Sequence, residues 1–200
     1  MGGEIHYQIG VPEELRGEAA ELYDEAFGAK FALAVPEREK RLLMLAEALA
    51  LPYAVALISG GRLAGLAGFS TLQGSLTGGM SAGQLFQHLG LLNGARAAAV
   101  FSLYERQSEP SQLLMDGITV HKDQRGQGIG THLLNEIKQY GRDEGYASVR
   151  LDVIDTNPGA RRLYEREGFV ATKTEHFGYL RRILGFGAAT TMVYKLADEP

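Results

Sequence analysis

One stretch of this chain concentrates its chemistry: Val120-His121-Lys122-Asp123-Gln124-Arg125-Gly126-Gln127-Gly128-Ile129-Gly130-Thr131. An apolar run, Leu113 to Val120, leads into it, and an amphipathic segment follows at once. Gly126, Gly128 and Gly130 stand at alternate positions. The first turn of a helix leaves backbone N–H groups without partners, and the helix dipole makes that end positive. Glycines let a phosphate come close to such donors, so the pattern suits a pyrophosphate, with Arg125 adding charge at its edge. A dinucleotide fingerprint does not fit. Thr131 and His132 follow the glycines, G-x-G-x-x-G is not formed, and the turn lies late in the chain. A nucleoside-triphosphate loop fails too, because no Gly-Lys-Ser/Thr is present. A turn chosen for backbone geometry alone and a coenzyme A phosphate turn both remain open on this segment.

A second segment decides between them. Leu151 to Ile154 is followed by Asp155-Thr156-Asn157-Pro158-Gly159-Ala160-Arg161-Arg162-Leu163-Tyr164-Glu165-Arg166-Glu167-Gly168-Phe169. Together the two blocks resemble the GCN5-related N-acetyltransferase family. Its Arg/Gln-x-x-Gly-x-Gly/Ala motif matches Arg125, Gly128 and Gly130. Its Asn-x-x-Ala-x-x-Leu-Tyr-x-x-x-Gly-Phe block matches Asn157, Ala160, Leu163, Tyr164, Gly168 and Phe169. The resemblance covers Leu113 to Phe169, and the segment from Gly74 to Pro110 departs from it as an insertion.

What the resemblance implies is an acetyl-CoA-dependent transfer to a primary amine. Backbone N–H groups of Gly126, Gln127, Gly128, Ile129, Gly130 and Thr131, with Arg125, are expected to hold the pyrophosphate. The pantetheine arm is expected to lie along Ile118 and Val120, acting as an extra strand, with Asn157 and Ala160 beside it. An N–H near Val120 would polarise the thioester carbonyl. Tyr164 resembles the family's proton donor to the departing thiolate; a phenol of pKa about 10 can serve a thiol near about 8.5. A lysine-like amine, with pKa about 10.4, is mostly protonated at neutral pH and needs a base or ordered water. Asp116, set in an apolar strand where many members carry an acid, is the candidate, with His121 as the alternative. The chain holds no cysteine, so direct attack in a ternary complex is expected. A non-catalytic acyl-CoA-binding module of the same fold is the other reading.

These residues need elements to position them. Strands are expected over Ile5 to Val11, Tyr53 to Ile58, Leu63 to Leu72, Gln112 to Val120, Ala147 to Ile154, Phe169 to His176 and Thr190 to Leu196. Ser59-Gly60-Gly61-Arg62 reads as a hairpin turn. A first helix, begun at Pro12, carries Leu15, Ala19, Leu22, Tyr23 and Ala26 at helical spacing, with Gly28 as its stop. A second covers Pro36 to Ala50, with Leu42, Leu45 and Leu49 on one stripe. Gly128 to Arg142 turns Ile129, Leu133, Leu134, Ile137 and Tyr140 inward and ends before Gly145. A short helix spans Pro158 to Glu167. Two further helices are expected over Ser81 to Leu91, where His88 reads as structural, and Ala95 to Arg106. A loop from Gly178 to Ala188 carries Arg181 and Arg182. The order gives a mixed α/β sheet. The resemblance implies a mostly antiparallel twisted sheet with helices on both faces and a V-shaped splay between strands 4 and 5.

Composition agrees with one globular domain: 200 residues, 45% hydrophobic and 22% charged. A net charge of −4 argues against nucleic acid as main partner. With no cysteine, disulfides and thiolate metal sites are excluded, and no metal is expected. The N-terminal residues lack a secretory pattern, and Leu49 to Ile58, broken by Pro52, is too short to span a membrane. A cytoplasmic location is therefore expected, with acetyl-CoA and an amine acceptor as partners. Homodimers are common in the family. Tyr23, Phe27, the Gly74 to Pro110 segment and the Gly178 to Ala188 loop are candidates to line the acceptor pocket.

Overall fold

A computed structural model of the chain describes residues 5–32, 35–79, 89–91, 94, 109–178, 181 and 185–196. In chain order they form β1 (Ile5–Ile9), a 3-10 turn (Glu13–Leu15), α1 (Arg16–Ala32), α2 (Arg38–Ala48), β2 (Ala54–Ser59) and β3 (Arg62–Ser70). β4 (Gln112–Val120), a 3-10 turn (Lys122–Gln124), α3 (Ile129–Asp143), β5 (Ser148–Ile154), α4 (Pro158–Arg166), β6 (Val170–His176) and β7 (Ala188–Lys195) follow. The helices expected over Ser81 to Leu91 and Ala95 to Arg106, including His88, lie almost entirely outside the described residues, as does Arg182.

The seven strands form one sheet in the order β1-β2-β3-β4-β5-β7-β6. Among the described residues, only the β4–β5 pair is parallel. Both faces of its first half are buried. Ala54, Ala56, Ile58, Leu63 and Leu66 pack beneath α1 and α2, while Val55, Leu57, Ala64 and Ala67 pack beneath α3. That double burial explains why β2 and β3 read as nearly unbroken apolar runs. α3 docks through Leu133, Leu134 and Ile137, each fully buried and each contributing about 1.5–3 kcal/mol by removal from water. Tyr140 is half-buried, its ring 4.5 Å from that of Phe69.

Three expectations need correction. α1 does not stop at Gly28 but continues to Ala32, and Ala26 is exposed. The glycine serves close approach instead: a Cβ at Gly28 would stand 2.5 Å from Oδ1 of buried Asp24. Asp24 in turn binds the buried guanidinium of Arg41, whose Nη1 donates to the carbonyls of Val35 (2.9 Å) and Pro36 (3.1 Å). α2 begins at Arg38, and Arg41, Met44 and Leu45 are its buried residues, with Leu42 only half-buried. β3 ends at Ser70, because Thr71 N–H bonds Gly74 O and turns the chain, leaving Leu72 exposed. The start of the expected insertion also belongs to the body. Leu76 is fully buried under α1 and α2, against Gly68. None of the described helices is long and apolar enough to cross a membrane.

Candidate active site

The β4–β5 ladder consists of three pairs, Gln112↔Ser148, Leu113↔Val149 and Leu114↔Arg150. Beyond Leu114 the strands part. Antiparallel pairing with β3 fixes where the backbone of β4 points past that place. His121 N–H bonds Ala64 O at 2.9 Å, and residues in such a ladder alternate between facing the partner and facing away. Thr119 and His121 therefore address β3, while Ile118 and Val120 turn their N–H and C=O groups toward the gap. Val120 O accepts from Arg125 Nε at 3.0 Å, which agrees with its facing the open side.

At the end of β4 the chain enters the glycine turn. Gly128 is the N-cap of α3, with φ 80, a left-handed conformation costly to a residue with a side chain. No side chain caps this helix start. A Cβ at Gly126 would meet nothing within 4 Å, and one at Gly128 only His132 Cδ2 at 4.0 Å. Residues 125–128 are exposed. Space is thus open at Gly126 and Gly128 before the first turn of α3, where no described side chain caps the helix, and the arrangement fits a diphosphate. Gly130 differs. Its Cβ would lie 3.2 Å from Leu163 Cδ2, so it lets α4 approach α3. Ile129 is buried, leaving only its backbone for a ligand. The Thr131 hydroxyl donates to Glu167 Oε1 at 2.9 Å.

α4 brings the second block beside this turn. Asn157 is its N-cap, with Oδ1 accepting from Ala160 N–H at 3.1 Å, so the Asn157 amide N–H₂ keeps its donors. Ala160 is half-buried against the α3-side core. Tyr164 is buried in that core, its ring 6.0 Å from Phe169, and burial pushes its phenol well above the ordinary tyrosine value. It holds its proton throughout the working pH range.

Asp116 sits at a β-bulge. Gly68 pairs Gly117 and Phe69 pairs Met115, so Asp116 is the extra residue of β4. It is half-buried beside Tyr23 of α1. Burial first, then the Asp116 charge, raises the Tyr23 phenol. Gly117 follows because Phe27 occupies its side-chain space: a Cβ would stand 2.5 Å from Phe27 Cζ. His121 lies at the strand's end, where Nδ1 accepts from Asp123 N–H at 3.4 Å. Asp116 and His121 are thus five residues apart, with Asp116 at the bulge in β4 and His121 just past the strand's end, at the turn.

Two residues outside the motifs tie the site together. Buried Lys138 of α3 donates to Glu167 O at 2.8 Å and lies 3.6 Å from Glu167 Oε2. Its Nζ stands 4.5 Å above the Tyr194 ring. Burial lowers its pKa, and the nearby Glu167 charge offsets part of that shift. Lys138 was readable only as a polar position on a helix. Glu167 fell in an unspecified position of the second block.

Proteins of known kind resemble the chain as follows. The N-acetyltransferase 8B of Homo sapiens is 34% identical over 67 residues, 34% of this chain and 30% of that protein. The probable N-acetyltransferase camello of Xenopus tropicalis is 34% identical over 64 residues, 32% of this chain and 29% of its own length. The chain thus matches about a third or less of either relative. Among solved structures, the N-acetyltransferase of Staphylococcus aureus Mu50 superimposes with TM-score 0.66 at 13% identity, over 94% of this chain and 100% of that one. The yncA structure of Salmonella typhimurium, with its cofactor acetyl-CoA, gives TM-score 0.58 at 17% identity, over 98% and 95%. At such identities the structures speak for the fold. The acetyltransferase (GNAT) family model matches residues 18–169, which include most of α1, the splayed strands, the glycine turn and all of α4, and the chain belongs to that family.

Proposed function

We propose that this protein is an acetyl-CoA-dependent N-acetyltransferase that moves an acetyl group to a primary amine by direct attack within a ternary complex. One observation carries the reading. The open-side N–H groups of Ile118 and Val120 border the gap between strands, and the turn after β4 leads to a helix start at Gly128 that no side chain caps among the described residues. A pantetheine arm needs such a strand edge, and a diphosphate needs such a helix start.

Acetyl-CoA, when bound, supplies an acetyl group activated as a thioester. The chain's own groups do the rest. N–H groups of Gln127 to Thr131 bind the diphosphate, and Arg125 adds charge at the rim. The Asn157 amide and the edges of Ile118 and Ala160 border the arm. Val120 N–H donates toward the carbonyl oxygen, where negative charge grows during transfer. Asp116, at the bulge, takes the proton the amine releases, directly or through water. Tyr164 holds the proton that the leaving thiolate needs. Its raised pKa guarantees the proton's presence and makes it a weak acid, so the hydroxyl acts as a hydrogen-bond donor to the thiolate before it transfers anything.

Free-thiol release from acetyl-CoA with a panel of amines tests the reading, comparing the parent with Tyr164→Phe. Release that depends on amine and falls in the variant supports it. Tight acetyl-CoA binding with no thiol released by any amine would instead identify an acyl-CoA-binding module.

A further inference from the structure

The C-terminal half of the sheet carries a hollow that the donor track does not use. Leu113 and Val149, paired across β4 and β5, both enter the α3-side core. The next pair, Leu114 and Arg150, therefore faces the opposite side. There Arg150 and Asp152 of β5, Lys173 and Glu175 of β6, and Ala189 and Thr191 of β7 line a cavity of about 160 Å³.

Its charges are unevenly satisfied. Thr191 donates its hydroxyl to Asp152 Oδ1 at 2.6 Å, and Lys173 Nζ donates to Glu175 Oε1 at 2.6 Å. Arg150 reaches Asp152 Oδ2 only through Nη2, at 3.5 Å. Its Nε is shielded from solvent and makes no hydrogen bond among the described residues. A buried donor on a charged group is costly without an acceptor. The fork formed by Nε–H and a neighbouring Nη–H matches the two oxygens of a carboxylate. Asp152, fixed by Thr191, does not complete that match.

Position gives the hollow its meaning. Leu114↔Arg150 is the last β4–β5 pair, so Arg150, the cavity residue in that pair, stands at the base of the splay. Asp116 is two residues further along β4. Undisturbed strand spacing and rise would put its Cα about 8 Å from that of Arg150, and the parting of the strands beyond Leu114 widens that distance. A small molecule with a carboxylate on the Arg150 fork would carry a neighbouring amine toward Asp116.

We infer that this hollow anchors the acceptor, that Arg150 is its specificity-determining residue, and that the acceptor is an amine bearing a carboxylate, as in an amino acid. The inference rests on the N-acetyltransfer reading above. The test follows the Nε–Hε nuclear magnetic resonance signal of Arg150, identified by its loss in Arg150→Lys or, should that variant not fold, Arg150→Gln. The full chain, with coenzyme A present, is titrated with the common α-amino acids and with their carboxamides. Thiol release from acetyl-CoA is measured with the same compounds. The expected result is a signal shift by one or more amino acids and not by their amides, with kcat/KM at least about tenfold higher for the acid. Arg150→Lys keeps the charge without the fork and should raise KM for that acid about tenfold, leaving acetyl-CoA affinity unchanged. A signal moved equally by acids and amides, or by neither, overturns the inference even where thiol is released. A signal moved by the carboxylates alone with no thiol released by any compound upholds the carboxylate site and removes the transfer reading instead.

Discussion

Replacing Gly128 by glutamate places a negative charge where the diphosphate is expected to sit. The fold itself should tolerate the change. A Cβ at this position has its nearest neighbour, His132 Cδ2, at 4.0 Å. The left-handed backbone, φ 80, costs any residue with a side chain about 1–2 kcal/mol. Gly128→Ala carries that same backbone cost without the charge, so the two variants together isolate electrostatics. Two unit charges about 4 Å apart interact by about 1 kcal/mol in water. The site is exposed, so the full solvent screening applies, and two phosphate charges at that distance give about 2 kcal/mol. That corresponds to about 30-fold in affinity between Ala and Glu variants. Titration calorimetry with acetyl-CoA measures the dissociation constants, and thermal unfolding confirms that both variants lose similar stability. The gap should narrow as salt is raised, because exposed charges are screened. If both variants bind acetyl-CoA within about threefold of the parent, the helix start at Gly128 does not hold the diphosphate.

Tyr164→Phe removes one hydroxyl from a buried ring and leaves its packing in place. Thiol release should fall by about 10²–10⁴, the usual worth of a general acid, while the acetyl-CoA dissociation constant stays within about twofold. Arg41→Met removes the buried cation of Asp24, leaving it only the more exposed Arg38 at 3.4 Å among the described residues, and releases the carbonyls of Val35 and Pro36. Urea unfolding should show a loss of about 3–5 kcal/mol. Lys138→Met keeps the packing against Tyr194 but removes the charged donor to Glu167. A loss of about 1.5–3 kcal/mol is expected, with kcat lowered and acetyl-CoA affinity kept, since the contact links α3 to the end of α4. A lowered affinity with kcat intact would place the role of Lys138 at the donor site instead.

Local features of this protein were legible from its residues alone. The strand, glycine turn and helix from Leu113 to Asp143 are set by short-range rules: alternation, backbone freedom at glycine and a 3.6-residue apolar stripe. The capacity of α3 to bind an anion belongs to its first turn, so a dozen residues declare it. The helix start at Pro158 is equally local. Gly28 shows where such reading fails. In a helix a glycine suggests an end, yet here the chain continues, because the glycine makes space for a carboxylate gripped by Arg41, 17 residues beyond Asp24.

Tertiary structure decided the features on which the proposed chemistry rests. The β4–β5 gap exists because parallel pairing stops after three pairs, which no local pattern encodes. The bulge at Asp116 arises from register with β3 and sets the carboxylate beside Tyr23. Lys138 meets Glu167 across 29 residues, and Arg150 gains its hollow from strands that arrive later in the chain. Local propensity carries the donors; long-range packing aims them, because only the assembled sheet determines which backbone groups are paired and which face the gap.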